Sequence, residues 1–336
     1  MKALTSITTM QELADAAGVS IASVSRVFSG SNKVSEKTKA KVMELVKLSG
    51  FSPNETARTM AAGKSKLIAV ILPDVENPFF SKLLSEIEEI CVKNGYTMIF
   101  FNSRGDSEKE KDIVSKMIAR QADGMLIGIT HATSERISVL QSAKFPVVAI
   151  TRAIKGLNSV GVNHKKGGIL AADYLFEKHC ENFFFFGQED DEKFLGFRER
   201  LLERGVTENN IQIFGNQSWY FTDFDCAAKT MDDFMQKLQN YKKAGLFCIN
   251  DLFAVQAISS AHRNKINVPE RLSVVGFDNT ILCNMVYPTL TSISQPLENI
   301  AEDSFELLSK KIKEGKEGVK QTENIVLSPS IIKRES

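Results

Sequence analysis

The stretch that decides the fold is TTMQELADAAGVSIASVSRVFSG, residues 8–30. Thr9 with Glu12 three residues later forms a capping box, so a helix starts near Met10, with Leu13, Ala14 and Ala17 on its apolar side. Gly18 suits a left-handed turn position that other residues resist. Ser20 then caps a second helix. On that helix Val24 and Val27 face inward, whereas Ile21, Ala22, Ser25 and Arg26 face out. Two short helices joined by a tight turn with Gly are helix-turn-helix geometry, in which the second helix enters a major groove by its N-terminal end. A third helix follows, capped by Ser35, turned inward through Val42, Leu45 and Val46, and ended by Gly50.

Charge supports that reading. Residues 1–66 carry ten Lys/Arg against five Asp/Glu, a surplus of five in a chain whose net charge is only +1. A basic head on a slightly acidic body points to a polyanion as the head's partner. After the third helix Pro53 breaks the chain and Asn54 caps a further short helix ending near Gly63. At about nine residues it is too short to be stable alone in water, so it is expected to fold only against something.

From Leu67 onward apolar runs alternate with amphipathic stretches. The runs are Leu67–Leu72, Thr97–Phe101, Met125–Ile129, Val147–Ile150, Phe183–Phe186, Leu246–Ile249 and Val274–Phe277. Helical patterns separate them over Phe80–Lys93, Lys109–Arg120, Lys166–Glu177, Lys193–Arg204, Cys226–Gln239 and Ala254–Lys265, with another over Ile300–Lys313. Strand then helix, repeated, predicts a doubly wound α/β body with parallel sheets. Ligands bind such sheets off the carboxyl ends of the strands, so the residue following each run matters. LIAVIL leads into Pro73-Asp74-Val75-Glu76-Asn77-Pro78-Phe79-Phe80, VVAI into Thr151-Arg152, LFCI into Asn250-Asp251 and VVGF into Asp278-Asn279. Carboxylates, amides and a guanidinium at these ends suit ligand hydroxyls, and Phe79, Phe80 and Trp219 offer flat faces for a sugar ring. Each alone is as well explained as a cap or turn; the set points to a pocket.

Here the resemblance can be named. The run Met10–Gly30, the Phe51-Ser52-Pro53-Asn54 stretch and Ala57-Arg58 resemble the LacI/GalR family of bacterial repressors. The body stretches DVENPFF, NDLFAVQA, VPERLSVVGFD and PTLTSISQP extend the likeness over essentially the whole chain. The resemblance implies a helix-turn-helix head (1–51), a hinge helix and linker (52–65), and a two-lobed body like the periplasmic sugar-binding proteins (66–336). The first lobe would comprise about 66–166 and 295–326, the second about 167–294 and 327–336, with chain crossings near 166, 294 and 326. It also implies contacts to double-stranded operator DNA by Thr9, Ser20, Ile21, Ala22, Ser25, Arg26 and Asn32, and by Asn54, Ala57 and Met60 of the hinge, Met60 standing where the family inserts a leucine into the minor groove. Ile21 and Ala22 have no polar side-chain atoms, so they can touch only apolar surface such as a thymine methyl, whereas Arg26 can hold a guanine edge or a phosphate.

Effector contacts carried over in the same way are Asp74, Asn77, Phe79, Phe80, Arg152, Lys193, Trp219, Asn250, Asp278 and Gln295. The chain departs from the family pattern in four places. Lys193 stands where arginine is usual, Thr151 and Asn163 where aspartate is common, and His179-Cys180 where glycine-histidine is usual. Fewer carboxylates and a compact cation make the pocket less negative, which points toward a phosphorylated or acidic sugar.

Composition excludes other classes. The 336 residues are 43% hydrophobic and 25% charged, which fits globular domains and not a disordered chain or fibre. No apolar run approaches the roughly 20 residues that span a bilayer, and no secretory signal is visible, so a cytoplasmic protein without a membrane partner is expected, localised to the nucleoid through operator binding. Five scattered cysteines lack a C-x-x-C and read as buried thiols. No metal or cofactor motif appears, and no nucleophile elbow, P-loop or dinucleotide fingerprint supports an enzyme. The expected function is therefore a transcriptional regulator, repressing a carbohydrate-utilisation operon as a homodimer on a palindrome under control of a small sugar or sugar phosphate. Three alternatives stand beside it: a sugar-modifying enzyme, a transport-binding protein, and a regulator controlled by a phosphocarrier protein.

Overall fold

The computed structural model describes residues 7–28, 33–51, 65–129, 132–215, 224–315 and 322–336. The expected hinge helix, with Asn54, Ala57 and Met60, lies outside the described residues, as do Asn32 and Trp219. The chain forms two compact units, Met1–Lys66 and Leu67–Ser336.

The first unit holds α1 (Met10–Ala17), α2 (Ile21–Phe28) and α3 (Glu36–Ser49). Thr9 caps α1: its hydroxyl accepts from the Glu12 N–H at 3.1 Å, and the Glu12 carboxylate accepts from the Thr9 N–H at 3.2 Å. Gly18 stops the helix at φ 64°, where a side chain would be strained. The Ser20 hydroxyl accepts from the Ser23 N–H at 3.2 Å at the start of α2. Leu13, Ala14, Ala17, Val24, Val27, Val42 and Phe51 make the core, with Leu45 and Val46 packed against it.

The second unit has two lobes, each built on a six-stranded sheet among the described residues. The first sheet takes β1 (Leu67–Leu72), β2 (Thr97–Asn102), β3 (Gly124–Gly128), β4 (Val147–Thr151), β5 (Asn158–Val162) and β11 (Asn324–Leu327), in the spatial order β11-β5-β4-β3-β1-β2. The second takes β6 (Asn182–Phe186), β7 (Ile211–Phe214), β8 (Ala244–Cys248), β9 (Leu272–Asp278), β10 (Thr291–Ser294) and β12 (Ser330–Ile332), in the order β12-β10-β9-β8-β6-β7. The unbroken apolar runs follow from burial on both faces. Ile68, Val70 and Leu72 point into one core layer, and Ala69 and Ile71 into the opposite one. In the second lobe Phe184 and Phe186 face one layer, Phe183 and Phe185 the other.

Pairing is parallel except at one edge, where β12 runs antiparallel to β10, so the expectation of parallel sheets needs that correction. The chain passes between lobes at Asn163, where helix α7 (His164–Glu177) begins, at Gln295–Pro296 and at Ser328–Pro329.

Two helices of that lobe approach unusually closely. On α7, a methyl at Gly168 would overlap the backbone of Lys193, and on α8 (Glu192–Glu203) a methyl at Gly196 would overlap that of Lys165. Each helix thus presents a glycine to the other's backbone, which fixes where the start of α8 lies.

Candidate functional site

The head offers a surface. Ile21, Ala22, Ser25 and Arg26 lie on the exposed side of α2, with Ile21 47% exposed, while Val24 and Val27 are buried. Ile21, at the N-terminal turn, is not among the described residues of the head's core. Thr9 and Ser20 act as helix caps, so their hydroxyls are already engaged locally.

The body holds a cleft of about 110 Å³ between the lobes. That is several times the roughly 10–15 Å³ that one buried water requires. Nine of the sequence-predicted residues line it: Asp74, Asn77, Phe79 and Phe80 after β1, Arg152 after β4, Lys193 on α8, Asn250 after β8, Asp278 at the end of β9 and Gln295 at the second crossing. The tenth, Trp219, lies outside the described residues.

Local rules place these side chains. Asn77 caps the helix Pro78–Lys93, its Oδ1 accepting from the Phe79 N–H at 3.0 Å, and Asp74 accepts from the Glu76 N–H at 2.9 Å. Phe79 and Phe80 meet edge to face, 5.2 Å between centroids. Asn250 caps the helix Asp251–Arg263 by accepting from the Phe253 N–H at 3.0 Å. Capping and lining are the same act here, because helices in a doubly wound sheet start at the strand ends that form the cleft. Thr151 adopts φ 71°, a strained conformation for a β-branched residue, which turns Arg152 out of the strand. Gly161, paired with Thr151, gives the room: a methyl there would strike the backbone of Arg152 and Ala153.

Charge is arranged unevenly. Asp191, at the cap of α8, is the counter-ion of one wall. Arg152 Nη2 lies 3.2 Å from its Oδ2, and Lys193 Nζ lies 3.9 Å from the same oxygen. Burial works against the Asp191 charge, but the two cations and the Lys193 N–H outweigh it and bring its pKa down to about 2. Burial, reinforced by Arg152, pulls the Lys193 ammonium below the ordinary lysine range. Its Nζ sits 4.4 Å from the centre of the Phe277 ring. The Gln295 amide donates to Asp278 Oδ1 at 2.6 Å. Burial and then the charge of Asp251 push the Asp278 carboxyl up to about 8. Asp251 is itself buried, accepting from the Thr280 N–H and the Ser292 hydroxyl, each at 2.6 Å.

Sequence reasoning missed His164 and Gln188, both buried and both in the cleft lining, along with Phe186 and Phe253. Gln188 was within reach of the strand-end rule, since Gly187-Gln188 follows the Phe183–Phe186 run. His164 was not, because β5 reads NSVGV and its polar residues hide the strand that His164 follows. The His164 ring lies edge-on to Phe277 at 5.5 Å, and its Nδ1 has no hydrogen-bond partner. Burial first, then Lys193 and Arg152, hold its pKa well below the usual histidine value, so it is neutral.

Among the described residues no cluster of His, Cys, Asp or Glu is placed to hold a metal ion, and no helix is long and apolar enough to cross a membrane.

Comparison with known proteins adds three kinds of likeness. Residues 9–54 match the bacterial regulatory proteins of the lacI family, and residues 172–336 match the periplasmic binding protein-like domain. The HTH-type transcriptional regulator DegA of Bacillus subtilis is 31% identical, over 98% of both chains. A periplasmic binding protein/LacI transcriptional regulator from Alkaliphilus metalliredigens, solved with D-xylulofuranose, is 26% identical with a TM-score of 0.69, covering 80% of this chain and 98% of that one. The lac repressor dimer bound to operator and the anti-inducer ONPF shares the fold at a TM-score of 0.82 and 22% identity, over 98% of each chain.

Proposed function

Because the chain belongs to the lacI family of bacterial regulatory proteins and is a DNA-binding transcriptional regulator with a ligand-binding body, we propose that it represses a carbohydrate-utilisation operon, binding a palindromic operator as a homodimer and responding to a small saccharide in the cleft. The observation that carries this reading is the convergence of nine residues, from separate strand ends and a crossing, on one interlobe cleft. Polar groups for hydroxyls and the Phe79, Phe80, Phe186 and Phe253 rings for a sugar face meet there. The cleft is crossed by the chain three times, so a ligand touching both walls favours one relation of the lobes. Linkage then requires operator and ligand to change each other's affinity by the same factor. The ligand leaves chemically unchanged, and the protein acts in the cytoplasm, on the nucleoid, without a cofactor.

Support for the dimer comes from the loop after β9, where Ile281, Met285 and Tyr287 are 63%, 71% and 87% exposed. Such large apolar side chains grouped on one loop fit a subunit interface. In the head, Ile21, Ala22 and Arg26 would read the major groove while Ser25, Asn32 and the capping residues Thr9 and Ser20 meet the backbone, and Asn54, Ala57 and Met60 would act in the minor groove. Residues 1–51, 52–65 and 66–336 are taken as the functional divisions.

Selection of operator sites from genomic fragments, followed by fluorescence anisotropy, tests the proposal. A palindrome bound by the full chain, weakened by R26A and altered by a saccharide, is the expected result. Replacing thymine by uracil throughout the site should weaken binding if Ile21 and Ala22 read methyl groups. Equal binding to every fragment, or a preference that survives loss of residues 1–65, would refute it.

A further inference from the structure

We propose that the cleft's ligand is a small polyhydroxylated anion whose carboxylate or phosphate sits on the Lys193 ammonium, beside the Arg152 guanidinium and the His164 imidazole. Lys193 is then the residue that selects charged over neutral saccharides. The inference rests on the ligand-controlled reading above.

The argument starts from an unfinished constellation. The Lys193 side chain is 9% exposed, yet its ammonium makes no hydrogen bond among the described residues. Its closest carboxylate oxygen is the 3.9 Å one on Asp191, beyond hydrogen-bond reach, and that same oxygen already faces Arg152 at 3.2 Å. Arg152 and the buried Lys193 therefore face the same Asp191 oxygen. The other acidic groups near Lys193 do not restore balance. Glu192 is exposed to solvent. Asp278, pushed up to about 8 by burial and Asp251, holds its proton at neutral pH. The Phe277 face at 4.4 Å steadies the ammonium but accepts none of its three N–H groups in a directed hydrogen bond.

A buried ammonium whose N–H groups find no acceptor is unfavourable, so the wall is completed by whatever binds there. Its chemistry is specified by what is missing: acceptor oxygens carrying negative charge. His164, neutral and with Nδ1 lacking a partner, adds one more polar group facing the same place without adding charge. The hydroxylated part of the ligand is called for by Gln295, next to His164. Its Oε1 is buried without a standard hydrogen bond, while its amide nitrogen is committed to Asp278. A hydroxyl donating to Gln295 and an anion accepting from Lys193 describe a sugar acid or a sugar phosphate.

The test uses the full-length protein and isothermal titration with matched sets, each comprising a neutral pentose or hexose, its aldonate and its terminal phosphate. The expected result is a charged member binding at least about ten-fold more tightly than its neutral partner, since charge-assisted hydrogen bonds are the strong ones, with the aldonate and phosphate arms identifying which anion. The preference should vanish in K193M and persist in K193R. Neutral sugars binding as tightly as their charged partners, or a preference unchanged in K193M, would overturn the inference while leaving ligand control intact. If no saccharide in the panel binds or alters operator affinity, the inference and the reading beneath it both fail.

Discussion

Substituting Gly168 by alanine gives a test whose sign is decided by one contact. Gly168 lies inside α7, where alanine is ordinarily the better helix former by about 1 kcal/mol. If the two helices had slack between them, G168A would therefore stabilise the protein. The structure gives the opposite expectation. A methyl on Gly168 would overlap the Lys193 carbonyl oxygen and stand 2.8 Å from the Phe197 nitrogen, where ordinary contact begins at 3.4 Å. All these atoms are backbone, so no side chain can rotate away and the helices must part. Overpacking of this kind costs typically 1–3 kcal/mol and occasionally more. With three backbone atoms inside contact distance and Gly196 making the reciprocal approach to Lys165, we place the net loss near the upper end, about 2 kcal/mol after the helix-propensity gain. Urea unfolding and calorimetry read this directly, as a fall of about 4–8 °C in Tm. The displacement also moves the start of α8, and with it Asp191 and Lys193, so ligand affinity should fall more than stability alone accounts for. A variant melting at or above the parent would show that the close approach is not obligatory and that α8 is positioned by something else.

Three further outcomes follow from other parts of the molecule. The Asp278 carboxyl is raised from its ordinary value of 3.8 to about 8, so the folded chain binds this proton more tightly than the unfolded one. Its contribution is fully present below about pH 4 and is lost as pH rises through 8. Tm measured against pH should fall less over that interval in D278N than in the parent, with His164, whose lowered pKa acts in the reverse direction, cancelling between the two; parallel profiles would sink the assignment. The Arg136–Glu110 pair is bidentate, with Nη2 to Oε1 at 2.6 Å and Nε to Oε2 at 3.0 Å, and its side chains are only 7% and 4% exposed. E110L should cost about 3–5 kcal/mol in urea unfolding by removing the buried carboxylate that the guanidinium holds bidentately, whereas the double variant E110L/R136M should recover most of that; a single-variant loss under about 1 kcal/mol would mean that water reaches the pair. T9A removes the capping box of α1 and should lower hydrogen-exchange protection of that helix by about 1 kcal/mol, with the body unaffected; unchanged protection of the Glu12 amide would refute the cap's role.

Local chemistry in the sequence determined the head and the layout of the body. The capping box at Thr9, the turn at Gly18 and the inward pair Val24 and Val27 are interactions over three or four residues, so they survive without knowledge of anything distant. The same holds for apolar runs such as Leu67–Leu72 and Phe183–Phe186, which must be buried on both faces wherever the sheet lies. Elements that owe their form to partners were hidden. The strands Asn158–Val162 and Ser330–Ile332 are short and partly polar, and exist because a neighbouring strand supplies their hydrogen bonds. The helix Ser134–Gln141 is likewise held through Arg136 on Glu110, 26 residues away. In the cleft, strand ends marked Asp74, Arg152, Asn250 and Asp278 in advance. What they do to one another was decided only by the tertiary structure. Lys193 is one residue in a helix pattern, local to its cap Asp191, until the glycine contact with α7 brings it to Phe277 and His164. Its missing hydrogen bonds are a property of three-dimensional enclosure, because burial and the count of acceptors within reach depend on segments that the chain brings together from more than a hundred residues apart.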